Sequence, residues 1–142
     1  MTERTTLSRD ARVVMGVSLI LVPTIVFGGA TLLGIITGGA FGAPGPSDLS
    51  PAQIAFYRAG HAHAGVLLIL SLVLQIALDH ARLGTRAVWS GRITAVGAAL
   101  LVSGGFFGIA HLAGLRFVLY AGVLSLVYAT LLTGVGLIRR SP

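Results

Sequence analysis

The chain has 142 residues, of which 55% are hydrophobic and only 10% are charged, and its mean hydropathy is +0.93. Because soluble domains carry about 25% charged residues, this composition excludes an ordinary soluble enzyme and predicts a single domain that lies in a membrane. The absence of cysteine excludes disulfides, thiolate metal sites and cysteine nucleophiles. All ten basic residues are arginine, and they stand beside the apolar runs, so the net charge of +6 indicates lipid headgroups rather than nucleic acid as the partner.

The first apolar run extends from Val13 to about Gly39 and follows a polar segment, residues 1–12, that we expect to be a cytoplasmic tail. About 20 apolar residues cross the hydrocarbon layer, and the run is far longer than the roughly 7 to 15 residues of a signal-peptide core. It therefore predicts a membrane span over residues 13–38. Pro23 removes a backbone donor inside this span and predicts a bend.

Residues 39–58 are predicted to form an outer loop. Their first part is rich in glycine and proline, and their last part, from about Pro51, is predicted to be the start of the second helix, outside the membrane. Ser50 and Gln53 have the spacing of a capping box around Pro51, so the second helix should begin near Pro51 and enter the membrane as a span over residues 59–79. Two further apolar runs predict spans over residues 93–113 and 117–138. The turn between them is so short that these two spans must be antiparallel.

The predicted fold is therefore all-α: a four-helix antiparallel bundle embedded in a membrane, formed as one domain by residues 1–142. The arginines predict its orientation. Eight of the ten lie in the tail, the second loop and the C-terminus, and only Arg58 and Arg116 lie in the other two loops. The positive-inside rule then puts both termini in the cytoplasm of a multi-pass protein of the inner (plasma) membrane.

Three of the four histidines are expected at similar depth near the outer leaflet. His61 and His63 open the second span, and His111 closes the third. On a helix, His61 lies in line with Gln75 and should face the bundle interior, whereas His63 lies about 200° away from His61. Histidines at i and i+2 cannot chelate one ion, so we expect His61 or His63 to act together with His111.

These residues leave three functions open. The first is a redox subunit in which two histidines hold a heme iron, or hold a copper or zinc ion whose shell Tyr57, Asp48 or water completes. The second is binding of a quinone or of a small anionic ligand at the same cluster. The third is a non-enzymatic accessory or scaffold subunit, associated with other membrane subunits or with copies of itself. The predicted cofactor and metal site consists of Tyr57, Arg58, His61, His63 and His111.

The segment Gly-His-Ala-His-Ala-Gly, residues 60–65, resembles the histidine-bearing helices of respiratory oxidases and related membrane heme proteins. This resemblance covers six residues and implies a heme iron near His61 or His63. No second signature of such proteins is present, so no catalytic residue is carried over.

The remaining polar residues are predicted to have structural roles. The four acids are too scattered for a paired-carboxylate site, and no charge stands in the middle of a span, which argues against a self-sufficient ion pump or transporter. Gln75, Ser103 and Thr31 are expected to make hydrogen bonds between helices. Gly104 and Gly108 have the spacing of a small-residue face for close helix packing.

Overall fold

The computed structural model describes residues 7–38 and 48–139, and within these ranges all regular structure is helical. Four segments are long and apolar enough to cross a membrane, as expected of a helical multi-pass membrane protein. The predicted outer loop lies outside the described residues from 39 to 47, as does the tail from 1 to 6. The helices are α1 (Arg9–Ile20), α2 (Val22–Thr37), α3 (Pro51–His80), α4 (Thr85–Ile109) and α5 (Arg116–Ile138), with a 3₁₀ turn (Ala113–Leu115) before α5.

A one-residue break at Leu21 separates α1 from α2 just before Pro23, and Leu21 keeps helical torsion angles, with φ −77° and ψ −17°. The backbone N–H of Leu21 donates to the carbonyl of Ser18 over 3.1 Å, and α2 then starts at Val22 with the proline in its first turn. The Leu21 carbonyl accepts the hydroxyl of Thr24 over 2.6 Å in addition to the backbone N–H of Thr24 over 3.1 Å. The first apolar segment is therefore two helices in series.

The prediction that residues 1–12 form a tail is wrong for its last residues. Helix α1 begins at Arg9, and Ser8 caps it by accepting a hydrogen bond from the N–H of Ala11 over 3.1 Å. Ala11 is fully buried. The segment is held against the other helices because Ser8 bonds to Asp79 of α3 and to Arg92 of α4.

Helix α3 begins where the sequence predicts. Gln53 N–H donates to Ser50 Oγ over 3.2 Å, and Ser50 N–H donates to Gln53 Oε1 over 2.9 Å, so the capping box is confirmed. With 30 residues at 1.5 Å each, α3 is about 45 Å long and extends beyond the predicted span at its N-terminal end. Its first four turns carry four of the predicted site residues: Tyr57, Arg58, His61 and His63.

Helices α4 and α5 are in backbone contact. A Cβ added to Gly105 would lie 2.7 Å from Leu119 Cα, and one added to Gly122 would lie 2.6 Å from Val102 N. The close-packing face thus includes Gly105 rather than Gly104, which has no described atom within 4 Å of an added Cβ. The predicted face is wrong by one residue at this position.

The first span, formed by α1 and α2, packs more loosely than the other three. Of the 18 residues that make up the most apolar stretch of each span, 11% are buried in the first span and 39% in α4. A crevice remains between α2 on one side and α3 and α4 on the other, and this crevice holds the candidate site.

Candidate functional site

His61 projects from α3 towards α2, where two glycines lie beside its imidazole. A Cβ added to Gly29 would lie 2.9 Å from Cε1 and 3.0 Å from Nε2 of His61, and one added to Gly28 would lie 4.0 Å from Nδ1. His61 is half-buried at this contact. The absence of a side chain at Gly29 is therefore what makes room for the ring, whereas a Cβ at Gly28 would only touch it.

A cavity of about 220 Å³ adjoins His61, between α2, α3 and α4. Its polar lining consists of His61, Ser103 and Thr24, and the hydroxyl of Thr24 is already bonded to a backbone carbonyl. The other described lining residues are apolar or glycine: Leu21, Ile25, Gly28, Ala64, Leu68, Ala99, Leu100, Gly104 and Phe107.

Ser103 differs from the prediction that it bonds a neighbouring helix. Its side chain is buried, and its Oγ has no hydrogen-bond partner among the described residues. A buried hydroxyl without a partner costs about 1–3 kcal/mol, and such groups in folded proteins call for an explanation. Ser103 lines the cavity, but its Oγ is itself buried, so a ligand in the cavity would meet the hydroxyl only after the side chain rotates.

A second cavity, of about 330 Å³, adjoins the first, since Gly28 and Phe107 line both. It lies between α2 and the N-terminal part of α3. Its remaining lining residues are Phe27, Thr31, Leu32, Ile35 and Tyr57.

Tyr57 and His111 form a bonded pair beside the second cavity. Tyr57 OH lies 2.8 Å from His111 Nε2, and their ring centroids are 5.8 Å apart. Helix α4 ends at Ile109, so His111 stands in the following turn and not in a span. Gln53 fixes this turn because its Nε2 donates to the Ala110 carbonyl over 3.1 Å.

His63 and Arg58 do not join this arrangement. His63 is exposed, its Nδ1 donates to the Ala59 carbonyl over 2.7 Å, and its ring lies 4.9 Å from that of Phe106. Arg58 is exposed and lines neither cavity. The predicted cluster thus separates into His61 at the first cavity, the Tyr57–His111 pair at the second, and two outward-facing side chains.

The donor set does not fit a three-ligand metal site. Residues 7–38 and 48–139 contain no group of three or more histidine or acidic side chains placed to hold a metal ion. The heme and copper predictions therefore rest on the sequence.

A polar network that the sequence did not predict lies at the C-terminal end of α3. Arg92 was assigned to a loop, but it is the eighth residue of α4 and only 2% exposed. Its Nη2 forms an ion pair with Asp79 Oδ1 and also donates to Ser8 Oγ over 3.2 Å. Its Nη1 donates to the carbonyl and to Oε1 of Gln75, over 3.2 and 3.1 Å.

Ser8 completes this network from the N-terminal segment. Its N–H and hydroxyl donate to the two carboxylate oxygens of Asp79, each over 2.7 Å. Gln75 and Asp79 are four residues apart on α3, so their polar side chains lie on one helix face. This spacing could have predicted a polar contact with a neighbouring helix. No comparable signal in the sequence pointed to Ser8.

Comparison of this chain with protein families, with curated proteins and with solved structures finds no match.

Proposed function

We propose that the protein binds a neutral, lipid-soluble ring compound of the quinone class in the cavity lined by His61 and Ser103. The observation that carries the proposal is the unpartnered hydroxyl of Ser103, a residue that lines an apolar cavity together with His61 and whose buried Oγ would turn towards a ligand there by rotation of the side chain. Quinone carbonyls accept hydrogen bonds, and both side chains can donate one. A ligand oxygen at Ser103 would offset the desolvation of that hydroxyl.

A neutral ligand fits the lining better than an anion does. Arg58, the cation predicted to bind an anionic headgroup, is exposed and lies outside the cavity wall. Most pockets for small molecules combine apolar walls with a few polar groups that fix orientation, and this cavity has that composition. Leu100 of its wall is 56% exposed, which supports entry from the surrounding lipid.

We infer further that the four spans are antiparallel and that both termini face the cytoplasm of a plasma membrane. With Arg92 removed from the count because it is buried, seven of the other nine arginines still belong to the inner side of this topology. On this topology Tyr57 and His111 would lie near the outer leaflet.

The test is the binding of menadione, a small two-ring quinone, to the purified protein in detergent micelles by equilibrium dialysis. We expect saturable binding that Ser103→Ala weakens about 2- to 10-fold, the effect of one hydrogen bond. The same substitution should raise the thermal stability of the ligand-free protein, since it removes an unpaired buried hydroxyl. Ser125→Ala is the matched control, because that hydroxyl bonds the Ala121 carbonyl on its own helix. Absence of saturable binding, or equal affinity in Ser103→Ala, would contradict the proposal.

The heme or copper function remains a proposal from the sequence, in which either His61 or His63 acts together with His111. An absorption spectrum and a metal analysis of the purified protein test it. A Soret band or stoichiometric copper that is lost in His111→Ala would support it, and a colourless, metal-free protein would exclude it.

The accessory or scaffold function has one structural observation in its favour. Gly97 and Gly104 on α4 have no described atom within 4 Å of an added Cβ, so another membrane helix could approach there. Partners at fixed stoichiometry, or a defined homo-oligomer, after mild purification would support it. A monodisperse monomer without partners would count against it.

A further inference from the structure

We infer that the ligand carries a long hydrocarbon chain and that this chain lies in the second cavity, between α2 and Tyr57. The inference rests on the proposed function and names the ligand class more closely: a ring with a lipid-like tail rather than a small free ring.

The size of the first cavity limits what it can hold. Pockets that enclose a complete ligand of drug size measure about 300–1,000 Å³. The cavity at His61 measures about 220 Å³, which suits a one- or two-ring headgroup. A larger ligand must continue into neighbouring space, and the second cavity provides about 330 Å³.

Glycine at position 28 joins the two cavities. Gly28 and Phe107 belong to both walls, and a Cβ added to Gly28 would meet only His61 Nδ1, at 4.0 Å. The missing side chain leaves a passage between α2 and the Phe107 ring. A chain attached to a ring beside His61 can therefore run along α2 without displacing a helix.

The chemistry of the second cavity suits hydrocarbon. The hydroxyl of Thr31 donates to the Phe27 carbonyl over 3.0 Å, so the residue can present its methyl group to the cavity. The hydroxyl of Tyr57 is bonded to His111. The other described lining residues are aliphatic, aromatic or glycine. A polar tail would lose its water here without gaining partners, whereas a hydrocarbon tail loses none.

The second cavity also has a route to the bilayer. Phe27 lines it and is 68% exposed on the apolar surface of α2. The far end of a long chain can therefore pass Phe27 and remain among the lipid tails while the ring stays beside His61.

The experiment compares menadione with the same ring bearing a four-isoprene chain, in phosphatidylcholine nanodiscs, with concentrations expressed per mole of lipid. The variant Thr31→Phe fills the second cavity. Leu33→Phe is the matched control, because Leu33 lies on the same helix and is 61% exposed. We expect the chain to raise affinity only about 3- to 10-fold in the wild type, since lipid tails are as apolar as the cavity and only packing adds affinity.

Thr31→Phe should abolish the advantage of the chain and leave menadione binding within about twofold, and Leu33→Phe should change neither. The inference would be overturned if the two compounds bound the wild type with equal affinity, or if the advantage of the chain survived Thr31→Phe. Either result would indicate that the tail stays in the bilayer or that a phospholipid chain fills the cavity. If neither compound binds, the proposed function itself fails, so the two failures are distinguishable.

A second measurement needs no substitution. A photoreactive diazirine in the isoprene chain should crosslink the wild-type protein to the segments around Phe27–Ile35 and Tyr57, as read by mass spectrometry. Crosslinks confined to α5 or to lipid would overturn the inference even if Thr31→Phe fails to fold.

Discussion

Replacing Asp79 with asparagine should destabilise the protein strongly, because it removes the counter-ion of a buried arginine. The Asp79 carboxylate accepts hydrogen bonds from the N–H and hydroxyl of Ser8 and pairs with Arg92. Asparagine keeps the size and one acceptor oxygen. It leaves the Arg92 guanidinium, only 2% exposed, without a negative charge beside it.

The magnitude follows from the burial of both partners. Removing one member of a buried ion pair costs about 3–5 kcal/mol. The Asp79 side chain is 12% exposed, and Nη1 of Arg92 keeps its two bonds to Gln75. Both facts reduce the cost, so we expect a loss of about 3 kcal/mol in the free energy of unfolding.

The assay is reversible unfolding of the wild type, Asp79→Asn, Arg92→Met and the double variant in mixed micelles. The double variant should lose less free energy of unfolding than the two single variants lose together, because replacing both members of a buried ion pair with apolar residues is often close to neutral. Arg86→Met is the control, since Arg86 is exposed in the first turn of α4 and has no salt bridge among the described residues. A loss within about 1 kcal/mol for Asp79→Asn, the range of exposed pairs, would refute the reasoning.

Further predictions concern the glycines. Gly105→Ala should lower stability by about 1–3 kcal/mol, because its Cβ would lie 2.7 Å from the α5 backbone. Gly97→Ala should be neutral or stabilising by up to about 1 kcal/mol, because no described atom lies within 4 Å of its added Cβ. Equal unfolding curves for Gly105→Ala and Gly97→Ala would contradict close packing of α4 against α5 at Gly105. Gly29→Ala must displace the His61 ring from a contact of 2.9 Å and should weaken menadione binding several-fold, as dialysis would measure. Gly28→Ala, at 4.0 Å from the same ring, should stay within about twofold, and the reverse order of the two effects would show that the ring lies elsewhere.

The sequence predicted those parts of the fold that depend on local chemistry. Apolar runs long enough to span a membrane predicted the helices, the Ser50–Gln53 capping box predicted the start of α3, and Pro23 predicted a bend next to the break at Leu21. The capping box and the proline act within one or two helical turns, and the apolar runs act along a single helix. The structure needs no distant contact to realise them.

The parts that depend on distant contacts were missed. Arg92 stands next to an apolar run, and charge counting assigned it to a loop. Its burial depends on Asp79, thirteen residues earlier on another helix, and on Ser8 from the N-terminal segment. The N-terminal residues were assigned to a tail for the same reason, since a polar segment reveals its partners only when the fold is known.

In the candidate site, too, the sequence predicted the features that depend on one helix and missed those that depend on packing between helices. Helix periodicity predicted that His61 and His63 face different directions, and the structure agrees: one is half-buried against α2 and the other is exposed. The role of Ser103 could not be predicted, because an orphaned hydroxyl is a property of the surrounding packing. His111 was assigned to a span but stands in a turn, where it meets Tyr57.

The central claim is that a quinone-class ring lies beside His61, and histidine NMR tests it most directly. The protein labelled with ¹³C at histidine Cε1 has four histidines, and His61→Gln identifies the signal of His61. Titration with menadione should shift the His61 signal saturably, while that of His80, at the opposite end of α3, should stay fixed. An unchanged His61 signal, or equal shifts at both histidines, would contradict the account.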